Sequence, residues 1–464
     1  MIVVLGGGLA GISCSYHLNH NCLVIEKNDY SGGHVYSHKI NNFTWDEGPH
    51  VSFTKHKYVK DLFNLSVKGD FLEFPVYPTN YYKGNWIPHP AQSNLYAVPE
   101  PIKSKCLSDF LETRKEENKD YKPKNYDQWI KLAFGNEFSN KFVRKYTKKY
   151  WTVEPEHLTT DWVGERVFSP DVETVKNGFK APSPESTHYI TTVRYPRNGG
   201  YFSYTNLLRK GLNISYNKCV EKICLKTKIV YFKDGTNQTY TRLINTLPLD
   251  EFVKFTNPPI EIKEAADNLS CSELLLLNYV VNHPATSDAN WIYVYDDDKY
   301  STRINFTELL SPNNGVEGKC GIQVEVYFSK YKLQSESIEE IRTKVANELV
   351  EMGLILQLAD IEEVNSHYIK YANIIFDHLR QRSLDQILNY LGAFGLIREK
   401  DDLLPSSDWD KKESESKHEK IGDIVLAGRF GQWKYYWTDD CVLRGKYIGD
   451  KVIKNLATEE KNEV

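Results

Sequence analysis

The chain opens on four consecutive apolar residues, Ile2-Val3-Val4-Leu5, halted by three glycines. An apolar run that short, bounded by a turn, predicts a buried strand. Helix spacing follows over 9–19, and Cys22-Leu-Val-Ile-Glu26 is a second apolar run. Strand, helix and strand in that order predict a parallel sheet. Residues 75–105, rich in Pro, Tyr and Asn, read as a wandering connection. Helical spacing takes over from about 106 to 165, most clearly in Tyr126-Asp-Gln-Trp-Ile-Lys-Leu-Ala-Phe134. Short alternating strands are predicted at 216–225, 229–232 and 239–246, returning the chain to the first sheet. Strand patterns recur at 274–281 and 321–328, and residues 335–351 carry Ile338, Ile341, Val345, Leu349 and Val350 near one helix face. The charged, Ser-rich stretch 401–420 reads as an exposed loop. The chain closes on a strand at 423–427, a Gly428-Arg429-Phe-Gly turn and a helix.

At 464 residues the chain exceeds one simple core, and two or three domains are expected. Hydrophobic content of 41% and charged content of 26% fit an ordinary water-soluble globular protein. A net charge of -4 gives no reason to expect a nucleic-acid partner. The 8 cysteines are scattered, with no CxxC pair and no His/Cys group at zinc spacing, so reduced thiols and no metal are expected. The N-terminus lacks a basic, cleavable apolar leader and no run is long enough to span a bilayer. A cytoplasmic protein without a membrane partner is the expectation.

Gly6-Gly-Gly8-Leu9-Ala10-Gly11 is a GxGxxG between the predicted strand and helix. Gly6 permits the tight turn, Gly8 lets backbone approach a pyrophosphate, and Gly11 lets helix and strand pack closely. The N–H groups that open the helix at Leu9 and Ala10 suit phosphate oxygens. Glu26, at the end of the second strand, suits the ribose hydroxyls of an adenosine. Gly32-Gly33-His34 then follows directly. The span from Glu26 to His34 resembles the extended FAD fingerprint of the amine-oxidase and protoporphyrinogen-oxidase superfamily, which implies FAD as cofactor.

Several further segments resemble, in order, those of UDP-galactopyranose mutases. Gly48-Pro49-His50 is similar to the family's flavin-side Gly-Pro-His. Tyr146-Thr-Lys-Lys-Tyr-Trp151 is similar to its uridine-binding Tyr and Trp. Trp162-Val-Gly-Glu-Arg166 resembles a segment whose Arg lies near the diphosphate, and Trp291-Ile-Tyr293 with Thr302-Arg303-Ile304 resembles the segment of the second diphosphate Arg. Tyr371 falls where the family has a phosphate-binding Tyr. Gly428-Arg429-Phe-Gly-Gln-Trp-Lys-Tyr435 resembles the closing FAD- and phosphate-contacting motif. After Tyr435 the chain departs from the bacterial pattern, reading Tyr-Trp-Thr-Asp-Asp440, with Asp440 expected on the cofactor side.

The resemblance implies pyranose–furanose interconversion of a nucleotide sugar, a UDP-sugar first among them, without net redox. Covalent catalysis would run through N5 of a flavin reduced by NAD(P)H or another donor. His50, Arg166 and Arg303 would then be catalytic, and Tyr146, Trp151, Tyr293, Tyr371 and Tyr435 would hold substrate. The alternative is an amine-oxidase or desaturase type of oxidoreductase, which shares the FAD fingerprint. Oligomeric state, a homo-oligomer included, is left open.

The fold class expected is mixed α/β. A Rossmann-like FAD-binding domain is assembled from 1–75, 182–247 and 415–464, with a helical domain at 76–181 and an antiparallel sheet domain at 248–414.

Overall fold

The buried strand Ile2–Leu5 sits at the middle of a five-stranded sheet. The order is Ile424–Leu426, Arg242–Asn245, Ile2–Leu5, Leu23–Ile25, Ile214–Ser215, and every pair is parallel. Three distant stretches of chain therefore close one layer, with Val3 opposite both Leu243 and Leu23. These apolar runs show no alternation because both sheet faces are covered. A computed structural model provides this architecture and describes residues 1–115, 121–182, 190–415 and 420–462.

The helix Leu9–His17 packs on the C-terminal helix Thr438–Asn462. The crossing needs two glycines four residues apart. A Cβ added at Gly445 would lie 2.2 Å from Ser13 Oγ, and one at Gly449 would lie 2.5 Å from His17 Cβ.

The second layer is a seven-stranded sheet in the order Ile361–Ile374, Cys271–Val281, Cys320–Phe328, Arg303–Phe306, Trp291–Val294, Thr79–Tyr82, Asn85–Pro88. Its apolar face, with Leu275, Leu277, Val324 and Val326, buries Ile341, Val345 and Leu349 of the helix Ile338–Glu351. A capping box between Ser337 and Glu340 starts that helix. Residues paired across adjacent strands share a face. The register Arg303–Glu325–Leu276–His367 thus places charged and apolar side chains together on the other face. That face meets the strand Phe43–Asp46: Gln323 Nε2 donates to the Asp46 carbonyl at 2.9 Å, and Thr307 Oγ1 donates to the Thr44 carbonyl at 2.6 Å. Helices Ile102–Thr113, Tyr126–Phe134 and Arg144–Tyr150 pack into one apolar core with Leu5 and Ile25 of the first sheet, and the Asn125 side chain caps the second by accepting from Gln128 N.

Two readings of the sequence need correction. Residues 75–105 are not merely a connection, because Thr79–Tyr82 and Asn85–Pro88 form a hairpin that extends the large sheet. The hairpin attaches through parallel pairing of Thr79–Tyr82 with Trp291–Val294. Its turn has Lys83 and Gly84 both at positive φ, the geometry that joins twisted strands across two residues. The stretch 401–420 is not simply exposed. Asp401 and Glu399 pair with Lys412, Lys434 and Arg444, and the last two are buried. Charges that satisfy one another can leave the surface; residues 416–419 of this stretch lie outside the described residues. No described helix is long and apolar enough to cross a membrane.

Candidate functional site

Backbone builds the dinucleotide cradle. Gly6 turns at φ +96°, its N–H donating to the Ile25 carbonyl at 2.8 Å. A Cβ on Gly11 would stand 2.0 Å from the Gly6 oxygen, so helix and turn touch directly. Gly8 opens the helix without a side-chain cap, and no acid occupies the first turn around Leu9, Ala10 and Gly11. Those N–H groups and the helix dipole suit phosphate oxygens. Gly32 N–H donates to the Gly7 carbonyl at 2.8 Å, and Gly33, at φ +54°, passes directly over Gly8.

The buried Glu26 carboxylate accepts from Gly7 N–H at 2.8 Å and from Asn28 N–H at 2.9 Å. Each oxygen retains a lone pair for a ribose hydroxyl. The Gly428 turn abuts Ala10, and Arg429 donates to the carbonyls of Tyr436 at 2.7 Å and Ala372 at 3.3 Å. These residues fit a dinucleotide. Asp440 spends its oxygens within the protein, on Trp409 Nε1 and on Trp437 N–H, both at 2.7 Å. Burial first, then the neighbouring Asp439, pushes its pKa up to about 6.

The next loop runs through Glu47, Gly48, Pro49 and His50. Glu47 is buried and faces three imidazoles: it pairs with His34 at 3.0 Å and His38 at 3.1 Å through hydrogen bonds, and His367 Nε2 lies 3.4 Å from its Oε1. Burial raises its pKa, but these contacts outweigh it and hold the carboxyl well below the usual range. Gly48, at φ +87°, lies against Glu325. His50 Nδ1–H donates to the Gly48 carbonyl at 3.0 Å, leaving Nε2 to accept. Burial, with Arg429 and His34 nearby, lowers the His50 pKa to about 4, so the ring is neutral at pH 7.

Beyond this loop lies a cluster of packed aromatic rings. The Arg166 guanidinium carbon is 4.5 Å from the Tyr435 ring centre and 4.8 Å from that of Trp437. Its Nη2 donates to the Tyr435 carbonyl at 3.0 Å, while its buried Nε has no acceptor among the described residues. Tyr435 in turn is 5.7 Å from Trp151. Tyr146 stacks on Tyr150 at 5.8 Å and meets Tyr293 edge-on at 5.5 Å, and its buried hydroxyl has no partner among the described residues. Trp291 Nε1 donates to the Tyr293 hydroxyl at 2.9 Å.

Arg303 grips Glu325 through two bonds, and Tyr327 donates to the same carboxylate at 2.8 Å. The structure thus gathers Tyr146, Tyr293, Tyr150 and Tyr327 around the Arg303 pair, and Trp151 and Tyr435 around Arg166. Tyr371 differs. Its hydroxyl donates to Asp250 at 3.0 Å, and its ring lies 5.4 Å from Phe430.

The sequence did not single out Tyr150, Glu325, Tyr327 or Trp437. Tyr150 had a signal, since it lies four residues after Tyr146 on one helix face. Glu325 and Tyr327 alternate on one strand face, but their partner Arg303 comes only with strand register.

Over residues 9–371 the chain matches the family described as flavin-containing amine oxidoreductase. Among solved structures, reduced UDP-galactopyranose mutase superposes with a TM-score of 0.85 at 23% identity, covering 98% of this chain and 95% of that one. A putative protoporphyrinogen oxidase from Exiguobacterium sp. gives a TM-score of 0.70 at 13% identity, covering 97% and 98%. Putrescine oxidase bound to putrescine gives 0.60 at 12% identity, covering 98% of each chain. A probable flavin-containing monoamine oxidase A from Dictyostelium discoideum is 31% identical over 160 residues, which span 29% of this chain and 34% of that relative.

Proposed function

The chain belongs to the flavin-containing amine oxidoreductase family, with FAD as its cofactor, and from that premise we propose that it is a nucleotide-sugar mutase. The substrate proposed is a UDP-sugar, UDP-galactose in its pyranose and furanose forms first. One observation carries the reading. Among the described residues, Arg166 keeps a buried N–H without an acceptor beside the rings of Tyr435 and Trp437, and the buried Tyr146 hydroxyl is also unpaired. Leaving buried donors unsatisfied costs about 1–3 kcal/mol each, and an anionic, oxygen-rich ligand removes that cost. A nucleoside diphosphate supplies such oxygens, and guanidinium groups bind them in forks.

When bound and reduced, FAD supplies a nucleophilic nitrogen for attack at an anomeric carbon. The chain's residues do the rest in this proposal. Gly6, Gly8, Gly11, Glu26 and Gly33 hold the adenosine diphosphate portion, and Gly428 and Arg429 close over it. His50, neutral and with Nε2 free to accept, orients a hydroxyl beside the ring system. Arg166 and Tyr435 bind the diphosphate and stabilise it as it leaves. Arg303, held by Glu325, keeps its Nη1 donors free to join them. Tyr146 and Trp151 offer faces to the base, with Tyr293 packed edge-on against Tyr146. Tyr371 would reach a phosphate only by giving up Asp250.

The matched monoamine oxidase favours a second reading, oxidation of an amine. Titrating the FAD-loaded protein with UDP and, separately, with putrescine distinguishes the two. Saturable UDP binding that Arg166→Ala abolishes supports the mutase. Putrescine binding with no response to UDP overturns it.

A further inference from the structure

Glu47 collects three histidines that the proposed chemistry leaves unused. His38 stands on the strand Ser37–Ile40, Glu47 follows the strand Phe43–Asp46, and His367 belongs to the long strand Ile361–Ile374 of the other sheet. His38 Nε2 and His367 Nε2 both approach one oxygen, Glu47 Oε1, at 3.1 and 3.4 Å. The two rings are 5.0 Å apart, and the three ligand atoms lie within 4.8 Å of one another. His34 Nδ1 takes the other oxygen, Oε2, at 3.0 Å.

The two contacts with Glu47 have the spacing of ligands around a small cation, and the two histidine nitrogens lie within 4.8 Å of each other. Two atoms each about 2.1 Å from a tetrahedral centre are about 3.4 Å apart. The His38 and His367 contacts with Glu47 are close to that edge length. Two imidazole nitrogens and one carboxylate oxygen form a borderline donor set, suited to zinc and its neighbours rather than to calcium or magnesium. Glu47 is buried while both histidines are part-exposed, so the set is held from behind and open in front. His34 holds the second oxygen and leaves Glu47 to bind through one, the kind of outer contact that orients a ligand.

We propose that His38, Glu47 and His367 form a binding site for a divalent transition-metal ion, zinc foremost, with water completing the coordination. The ion joins the two-stranded pair Ser37–Ile40 and Phe43–Asp46 to the large sheet and braces the loop that presents Gly48, Pro49 and His50. The sequence concealed this set because His367 comes from a distant strand and no local ligand spacing exists. The proposal does not depend on the mutase reading.

The test uses tag-free, FAD-loaded full-length protein titrated calorimetrically with ZnCl2. One zinc per chain is expected, with affinity reduced about tenfold or more in His38→Asn and in His367→Asn. His157→Asn, an exposed histidine elsewhere, is expected to bind as wild type. Flavin absorbance reports whether each variant remains folded. Because a variant could lose its fold, the wild type is also labelled with diethylpyrocarbonate and mapped by mass spectrometry. Zinc is expected to protect His38 and His367 but not His157. Absence of stoichiometric binding, affinity unchanged in both folded variants, or labelling of His38 and His367 unaffected by zinc overturns the proposal.

Discussion

Arg303 and Glu325 face each other on adjacent antiparallel strands and form a two-pronged ion pair, Nε to Oε2 at 2.8 Å and Nη2 to Oε1 at 2.6 Å. Glu325 is 1% exposed, so its charge depends on this partner and on Tyr327. The pair sits directly behind Gly48 and joins the large sheet to the loop that carries His50.

Arg303→Ala therefore strands a buried carboxylate and is expected to lower stability by about 3–5 kcal/mol. Glu325→Gln, which keeps an accepting oxygen, is expected to cost about 1–3 kcal/mol. Urea denaturation of the FAD-loaded variants measures both, and equal losses would contradict this ordering.

Tyr146→Phe separates binding from stability. The hydroxyl has no partner among the described residues, so its removal is expected to leave stability unchanged or raise it by up to about 1 kcal/mol. UDP affinity is expected to fall by about tenfold if a ligand oxygen satisfies that hydroxyl. Thermal unfolding and UDP titration read the two effects independently.

His50 gives stability a pH slope of known sign. Its folded pKa is lowered from 6.5 to about 4, so between those values the unfolded chain binds the extra proton. The contribution is complete above about pH 6.5 and is lost as pH falls towards 4. His50→Gln is expected to flatten that part of the profile, measured by denaturation from pH 4 to 8. An NMR titration of the wild type that finds His50 protonated at pH 6 would contradict the assignment.

The buried charges near the C-terminus are a separate test of the fold. Arg444, 2% exposed, holds Glu399 through two bonds, at 2.9 and 2.8 Å. Glu399→Ala is expected to destabilise by about 3–5 kcal/mol, because Arg444 would remain buried without its counter-charge. Denaturant midpoints of the FAD-loaded protein check this.

The first strand–helix–strand unit was legible because its signals are local: an apolar run, glycines at fixed offsets, and Glu26 after the second run. The helix Ile338–Glu351 was legible for the same reason, from its 3.6-residue apolar spacing. The hairpin at Thr79–Pro88 was hidden because tyrosines and prolines there suggested a loop, whereas pairing to Trp291–Val294 makes it a strand. Charge at 401–420 suggested solvent, but Lys434 and Arg444, which pair with Asp401 and the preceding Glu399, lie on later elements. In the site, Arg166 and Arg303 could be picked out by local resemblance. Glu325, Tyr327 and His367 could not, since their places follow from strand register across distant segments.

The central claim is tested most directly by incubating UDP-galactofuranose with FAD-loaded enzyme, with and without dithionite, and separating the nucleotide sugars by chromatography. The account predicts conversion to UDP-galactopyranose only when the flavin is reduced, and none in Arg166→Ala that retains FAD. A reduced, FAD-loaded wild type that converts no nucleotide sugar, while the oxidised enzyme consumes oxygen with an amine, would contradict it.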